Sequence, residues 1–172
     1  FFDNMFRNRV DRYNTLNATL YGIITLPYGF EIQSNFTPSF IWREYYNHDS
    51  SLNPEWAAKG GTAERSFHRT YNWQMDNVLR WKKTFGEHNF EVTLLQNAEK
   101  GQYWRTKATA SNFVPSDILE WHRIQAGTVP LNESDDTYRT GDALMGRLFY
   151  SFKDTYLLTA SVRRDGYSAF SA

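Results

Sequence analysis

Apolar and polar side chains alternate along most of this chain with a period of two. From Phe30 to Trp42, one parity carries Phe30, Ile32, Ser34, Phe36, Pro38, Phe40 and Trp42, and the other Glu31, Gln33, Asn35, Thr37, Ser39 and Ile41. Successive side chains of a strand point to opposite faces, so this spacing predicts a long two-faced strand. Pro38 argues against a central strand unless a bulge or local break accompanies it. The same alternation predicts a strand over Phe67 to Trp81, with Phe67, Tyr71, Trp73, Met75, Leu79 and Trp81 opposite His68, Thr70, Asn72, Gln74 and Asp76. Shorter alternating runs begin at Arg12, Phe90, Leu144 and Tyr156, which makes six strands in all.

The expected connections alternate in length. Leu26–Gly29, Phe85–Asn89 and Lys153–Thr155 carry turn residues at hairpin length. Asn47 to Thr62 and Thr106 to Asp136 read as much longer loops. Long antiparallel strands joined by short turns at one end and long loops at the other describe an up-and-down transmembrane barrel. A soluble β-sandwich, a carbohydrate-binding or adhesion module for example, also alternates, but its strands usually run about five or six residues.

Composition narrows the choice. The 172 residues balance 19 basic against 19 acidic side chains and include 30 aromatics as Phe 13, Tyr 11 and Trp 6. Zero net charge gives no electrostatic footprint for a nucleic-acid binder. No Cys is present, so there is no disulfide framework or thiolate site. A run of about 18 apolar residues is also missing, which excludes a transmembrane helix but not a barrel strand of about 9–11 residues. Phe1-Phe2-Asp3-Asn4 lacks the features of a signal peptide, and the chain reads as cut from something longer.

The sequence offers little catalytic or metal chemistry, and no cofactor is expected. His48, His68, His88 and His122 match no zinc-binding spacing. Glu133, Asp135 and Asp136 read as a solvated acidic loop, lacking EF-hand spacing. No G-x-S-x-G or phosphate-binding glycine motif occurs. The N-x-S/T triplets at Asn17, Asn35 and Asn132 match glycosylation acceptors, but two of them lie inside expected strands and they read as polar faces only.

Placed on a barrel, Gln33, Asn35, Asn72, Gln74 and Asp76 would line a hydrated lumen, or simply face solvent. Trp73 and Trp81 would mark the two aromatic girdles, although aromatics favour strands in any case. Arg69 and Arg164 interrupt apolar parities and are expected at the outer interface, because a mid-bilayer Arg costs about 2–4 kcal/mol. Tyr103, Trp104 and Trp121, in or beside the second long loop, are candidates to stack on a sugar; the alternative is aromatic packing of the loop onto itself.

Two stretches carry a family resemblance. The run from Ala143 to Gly166 contains Tyr156-Leu-Leu-Thr-Ala-Ser-Val-Arg-Arg-Asp-Gly166 after a lysine-bearing turn, and Trp81 to Leu95 forms a preceding hairpin. Both resemble the SusC/RagA-type TonB-linked outer-membrane transporters. The sequence departs from that pattern at Tyr167-Ser168-Ala169-Phe170, where the family has a serine pair. The resemblance implies an all-β, antiparallel segment of a 22-stranded barrel, an open curved sheet when alone, in the bacterial outer membrane. It further implies a plug and TonB-contacting segment outside this chain, a SusD-like lipoprotein lid, and import of oligosaccharides or peptides; contact with lipopolysaccharide phosphates is expected instead from Arg69 and Arg164 at the outer interface. A siderophore-type plugged barrel is the nearest alternative.

Overall fold

A computed structural model describes residues 5–113 and 115–168. The Phe1–Asn4 stretch and the Ala169-Phe170 part of the motif departure lie outside the described residues. Seven strands form: β1 (Arg7–Asn17), β2 (Leu20–Leu26), β3 (Phe30–Asp49), β4 (Thr62–Phe85), β5 (His88–Phe113), β6 (Gly127–Phe152) and β7 (Tyr156–Tyr167). They make one antiparallel sheet in the linear order β1-β3-β4-β5-β6-β7, with β2 also pairing β3. The sheet is therefore not closed among the described residues.

Six strands become seven because the first is split, and Pro38 supplies the reason. The β2–β3 register runs from Leu26↔Phe30 to Leu20↔Phe36, and the Ala18 N–H donates to the Pro38 carbonyl at 3.1 Å. A hydrogen-bonded antiparallel pair normally exchanges two such bonds, but proline has no N–H to return. The ladder lapses there, and β1 and β2 separate.

The three short turns fall where the sequence places them. Pro27–Gly29 is a single 3-10 turn, and Gly29 adopts φ +88. A Cβ on Gly29 would collide with the Lys82 carbonyl oxygen, so only glycine fits. At the three-residue β6–β7 turn Lys153 and Asp154 both take positive φ, and the Thr155 N–H closes the turn on the Phe152 carbonyl at 3.1 Å.

The strands are longer than the apolar alternation indicates. β3 has 20 residues, β4 24, and β5 and β6 26 each. The stretch expected as a loop over Thr106 to Asp136 is mostly strand: β5 continues to Phe113, β6 begins at Gly127, and only the segment between them connects. Glu133, Asp135 and Asp136 accordingly lie in β6 rather than in a loop. The first long connection is also shorter than Asn47 to Thr62, since β3 runs to Asp49, and it holds the one-turn helix α1 (Pro54–Ala57), capped by the Asn53 side chain on the Glu55 N–H.

By its contacts the chain divides into two compact units. One, here the loop unit, comprises Phe1–Leu16, Phe40–Tyr71 and Gln102–Thr137; the other, the turn unit, comprises Asn17–Ser39, Asn72–Gly101 and Tyr138–Ala172. The buried core of the loop unit is small. Ala63, Ala110, Phe113 and Trp121 form it, with Val10, Tyr46, Ile124 and Ala126 packed around them. Large apolar side chains such as Leu20, Ile24, Leu158 and Val162 are instead exposed. A water-soluble domain does not leave so many on its surface without a partner for them.

Candidate functional site

In the turn unit the two parities of each strand carry different chemistry. On one face Phe30 lies 6.2 Å from Trp81 and Phe36 lies 6.3 Å from Trp73, ring centre to ring centre. The Trp81 indole N–H donates to the Tyr28 carbonyl beside the short turn. On the opposite face Arg80 Nη1 donates to Glu31 at 2.7 Å and to Gln33 at 3.0 Å. Gln33 in turn donates to Asn35, and Asp76 accepts from both Gln74 and Asn97. Asn72 and Arg139 meet above Gly101, where a Cβ would lie 2.7 Å from the Asn72 oxygen. Gln33, Asn35, Gln74 and Asp76 are thus hydrogen-bonded on this polar face, with Asn72 beside Gly101 on the same parity of its strand as Gln74.

The apolar face contains one polar row. Ser34 Oγ donates to Asn77 Oδ1 at 2.6 Å, and Asn77 Nδ2 donates to Gln96 Oε1 at 2.7 Å. These three side chains satisfy one another among apolar neighbours.

In the loop unit the polar parity becomes strongly charged. Arg43 makes a two-pronged contact with Asp11, at 2.8 and 2.7 Å, with its guanidinium 5.8 Å from the centre of the Tyr45 ring. His68 bonds to Ser66 through Nε2 at 2.9 Å and to the Tyr103 hydroxyl through Nδ1 at 2.8 Å. Arg105 reaches Glu133 at 2.9 Å, and Lys107 lies between Glu64 and Glu133 at 3.7 and 3.9 Å. Exposed pairs of this kind are each worth roughly 0–1 kcal/mol. Their mutual fixing of long side chains across neighbouring strands matters more than their stability.

The three aromatic candidates part company. Tyr103 lies on this charged face with His68. Trp104, its neighbour in β5, faces the other way, and the Arg69 guanidinium sits 4.6 Å above its ring. Trp121 belongs to the connection between β5 and β6, which folds back over the apolar parity: it is 6% exposed, and its ring stacks on Tyr46 at 5.9 Å. That geometry supports loop packing over sugar contact for Trp121. Arg164 lies on the apolar parity of β7, opposite Leu144.

A second anchor holds the same connection. Asp117 Oδ2 accepts the Ser51 N–H at 2.6 Å and lies 3.5 Å from His48 Nε2, while Glu120 lies 3.7 Å from His48 Nδ1. Burial alone would push the Asp117 carboxyl up. Hydrogen bonds from the Ser51 N–H and the Ser50 and Ser51 hydroxyls, with His48 nearby, outweigh that and hold it below the ordinary carboxylate value.

Asp11, Arg43, Arg105 and Lys107 escape a reading of apolar alternation, because both parities of these strand ends are polar. Their signal is instead the opposite charge facing across strands once β5 and β6 are extended.

A sheet of long antiparallel strands, aromatic and apolar on one face and hydrogen-bonded and charged on the other, with short turns alternating with longer connections, is the wall of a transmembrane β-barrel of the outer membrane. No protein-family model matches the chain. Among curated proteins it is 30% identical over 151 residues to TonB-dependent receptor P26 of Formosa agariphila, covering 81% of this chain and 14% of the relative. It is 30% identical over 116 residues to TonB-dependent receptor P3 of the same organism, covering 67% of this chain and 12% of that one. Of solved structures, the RagAB peptide transporter superposes on 98% of this chain and 19% of its own with a TM-score of 0.85 at 16% identity. The siderophore receptor PiuA from Acinetobacter baumannii reaches a TM-score of 0.50 over 91% of this chain and 26% of its own, at 11% identity. The chain belongs to the TonB-dependent receptors and spans about an eighth of the length of the curated relatives it matches.

Proposed function

We propose that this chain is part of the wall of a TonB-driven, non-enzymatic importer of large nutrients, oligosaccharides or peptides, that works with a SusD-like surface lipoprotein. One observation carries the reading: in each unit the polar parity is cross-linked by hydrogen bonds and ion pairs, through Gln33, Gln74 and Asp76 in the turn unit and through Arg43, His68, Tyr103 and Arg105 in the loop unit. Such a face suits a hydrated path for polar cargo. Fixed groups of both signs, Arg105 beside Glu133 and Arg43 beside Asp11, fit the charged termini and side chains of peptides as well as sugar hydroxyls. The family resemblance supports capture between loops and lid, followed by plug rearrangement driven by TonB, with both plug and lid contributed by other parts of the assembly. A siderophore-type barrel is the weaker alternative, given the lower likeness of PiuA.

The test is growth and uptake. A strain whose full-length receptor gene is deleted is offered labelled oligopeptides and oligosaccharides as separate sole sources, with and without the adjoining lipoprotein gene. Loss of uptake of one class, restored by the receptor and dependent on TonB and the lipoprotein, supports the reading. Unchanged uptake of both, with loss of ferric-chelate uptake, replaces it with the siderophore alternative.

A further inference from the structure

We propose that the apolar face of the turn unit holds a specific site for a phosphate-bearing, acylated lipid of the outer leaflet, its acyl chain lying in a groove over Gly146 and its phosphate on Arg164. This rests on the outer-membrane placement of the sheet.

The groove has a volume of about 560 Å³ and is walled by Leu79, Leu94, Leu144 and Val162, with Arg164 at its rim. That size falls within the roughly 300–1,000 Å³ of small-molecule sites. Its floor is Gly146. A Cβ there would be 3.7 Å from Leu94 Cδ2 and 3.8 Å from Val162 Cγ1, so the missing side chain leaves a notch flanked by branched apolar groups. Gly146 pairs with Val162, and Leu144 with Arg164, so the guanidinium stands next to the notch on the same face.

Arg164 is the second observation. Its neighbour Arg163, on the other face, is held by Asp165 at 2.7 Å, whereas Arg164 has no hydrogen-bond or ion-pair partner among the described residues. An arginine facing hydrocarbon costs about 2–4 kcal/mol at the midplane unless an anion meets it. Arg164 lies roughly 26 Å along β7 from Tyr156 at 3.3 Å per residue, about 20 Å of height once a strand tilt of about 35–45° is counted, toward the far side of a lipid band about 25 Å tall. Headgroup phosphates lie at that edge, and the planar guanidinium fork matches a phosphate with two parallel hydrogen bonds. The face is bathed in lipid, the notch takes a hydrocarbon chain, and the unpaired cation selects a phosphorylated one.

The experiment uses the full-length receptor, purified in detergent and stripped of endogenous lipid. It is titrated with bisphosphorylated lipid A, with lipid A lacking both phosphates, and with inorganic phosphate, and bound species are counted by native mass spectrometry. The expected result is preference for the phosphorylated lipid by about tenfold, the effect of one charge-assisted hydrogen-bonded contact. Arg164→Gln abolishes that preference, and Gly146→Leu weakens both lipids. Heat-modifiable electrophoretic mobility verifies that each variant is folded. Equal binding of both lipids by the wild type overturns the site. So does unchanged binding in both folded variants, or inorganic phosphate displacing the lipid while Gly146→Leu has no effect. A receptor absent from the outer-membrane fraction would instead defeat the family placement on which the site rests.

Discussion

Asn77 donates its amide to the Gln96 side-chain oxygen at 2.7 Å on the face that also bears Trp73 and Trp81, while accepting from Ser34 at 2.6 Å. Three polar residues on neighbouring strands thus close their hydrogen bonds among themselves where lipid offers none. Removing one partner leaves the others unsatisfied. Gln96→Ala is expected to destabilise the full-length barrel by about 1–3 kcal/mol. The triple variant Ser34→Ala, Asn77→Leu, Gln96→Leu is expected to lose less, because no orphan group remains. Urea unfolding in lipid vesicles measures both, and equal losses would mean the row is solvated.

Asp117 makes the connection between β5 and β6 sensitive to acid. Its carboxyl is held below the ordinary value of 3.8 in the folded state. A group with a depressed folded pKa contributes stability that is complete above its unfolded pKa and fades as pH falls through the folded one. The connection is therefore expected to be firm at neutral pH and to open only below about pH 4. Hydrogen exchange of the 115–126 segment against pH tests this, and Asp117→Asn is expected to remove the Asp117 share of the dependence while the neighbouring His48 and Glu120 remain.

The two faces of β5 separate Tyr103 from Trp104, and substitutions should do the same. Tyr103→Phe removes the hydroxyl bonded to His68 and is expected to raise the KM of uptake several-fold with little change in barrel stability. Trp104→Ala is expected to leave uptake unaltered and to weaken seating of Arg69. Uptake kinetics in whole cells distinguish them; the reverse pattern would place the cargo path on the wrong side of the wall.

Trp121→Ala is expected to act through folding of the loop. Truncating a buried aromatic costs about 3–5 kcal/mol. The 115–126 segment should then become protease-sensitive while the strands remain intact on gels. Loss of cargo binding with the segment still protected would restore Trp121 as a contact residue.

Gly29→Ala places a methyl group against the Lys82 carbonyl and forces a side chain into positive φ. Destabilisation of at least about 1–3 kcal/mol is expected, seen as a lowered temperature for loss of heat-modifiable mobility.

The two-faced parts of the fold are legible in the sequence because a strand with one apolar and one polar face must alternate. Phe30, Phe36, Trp73 and Trp81 reveal their strands by period alone, and the three short turns reveal themselves by Gly29, Gly86 and Asp154. The outer ends are not legible. From Arg43 to Asp49 and from Thr106 to Phe113 the apolar alternation gives out, and pairing rests on contacts such as Arg105 with Glu133, which no periodicity records. Ending β5 near Trp104 makes a loop of what is strand and carries the aromatic candidates with it. Pro38 is legible as a defect, but its consequence for the neighbouring strand depends on Ala18 standing opposite it, a pairing that alternation does not specify.

The backward fold of the Trp121 segment ties together stretches far apart in sequence. Gripped by Tyr46 through ring stacking and by the Ser51 N–H through Asp117, this stretch can vary freely only where both grips are kept.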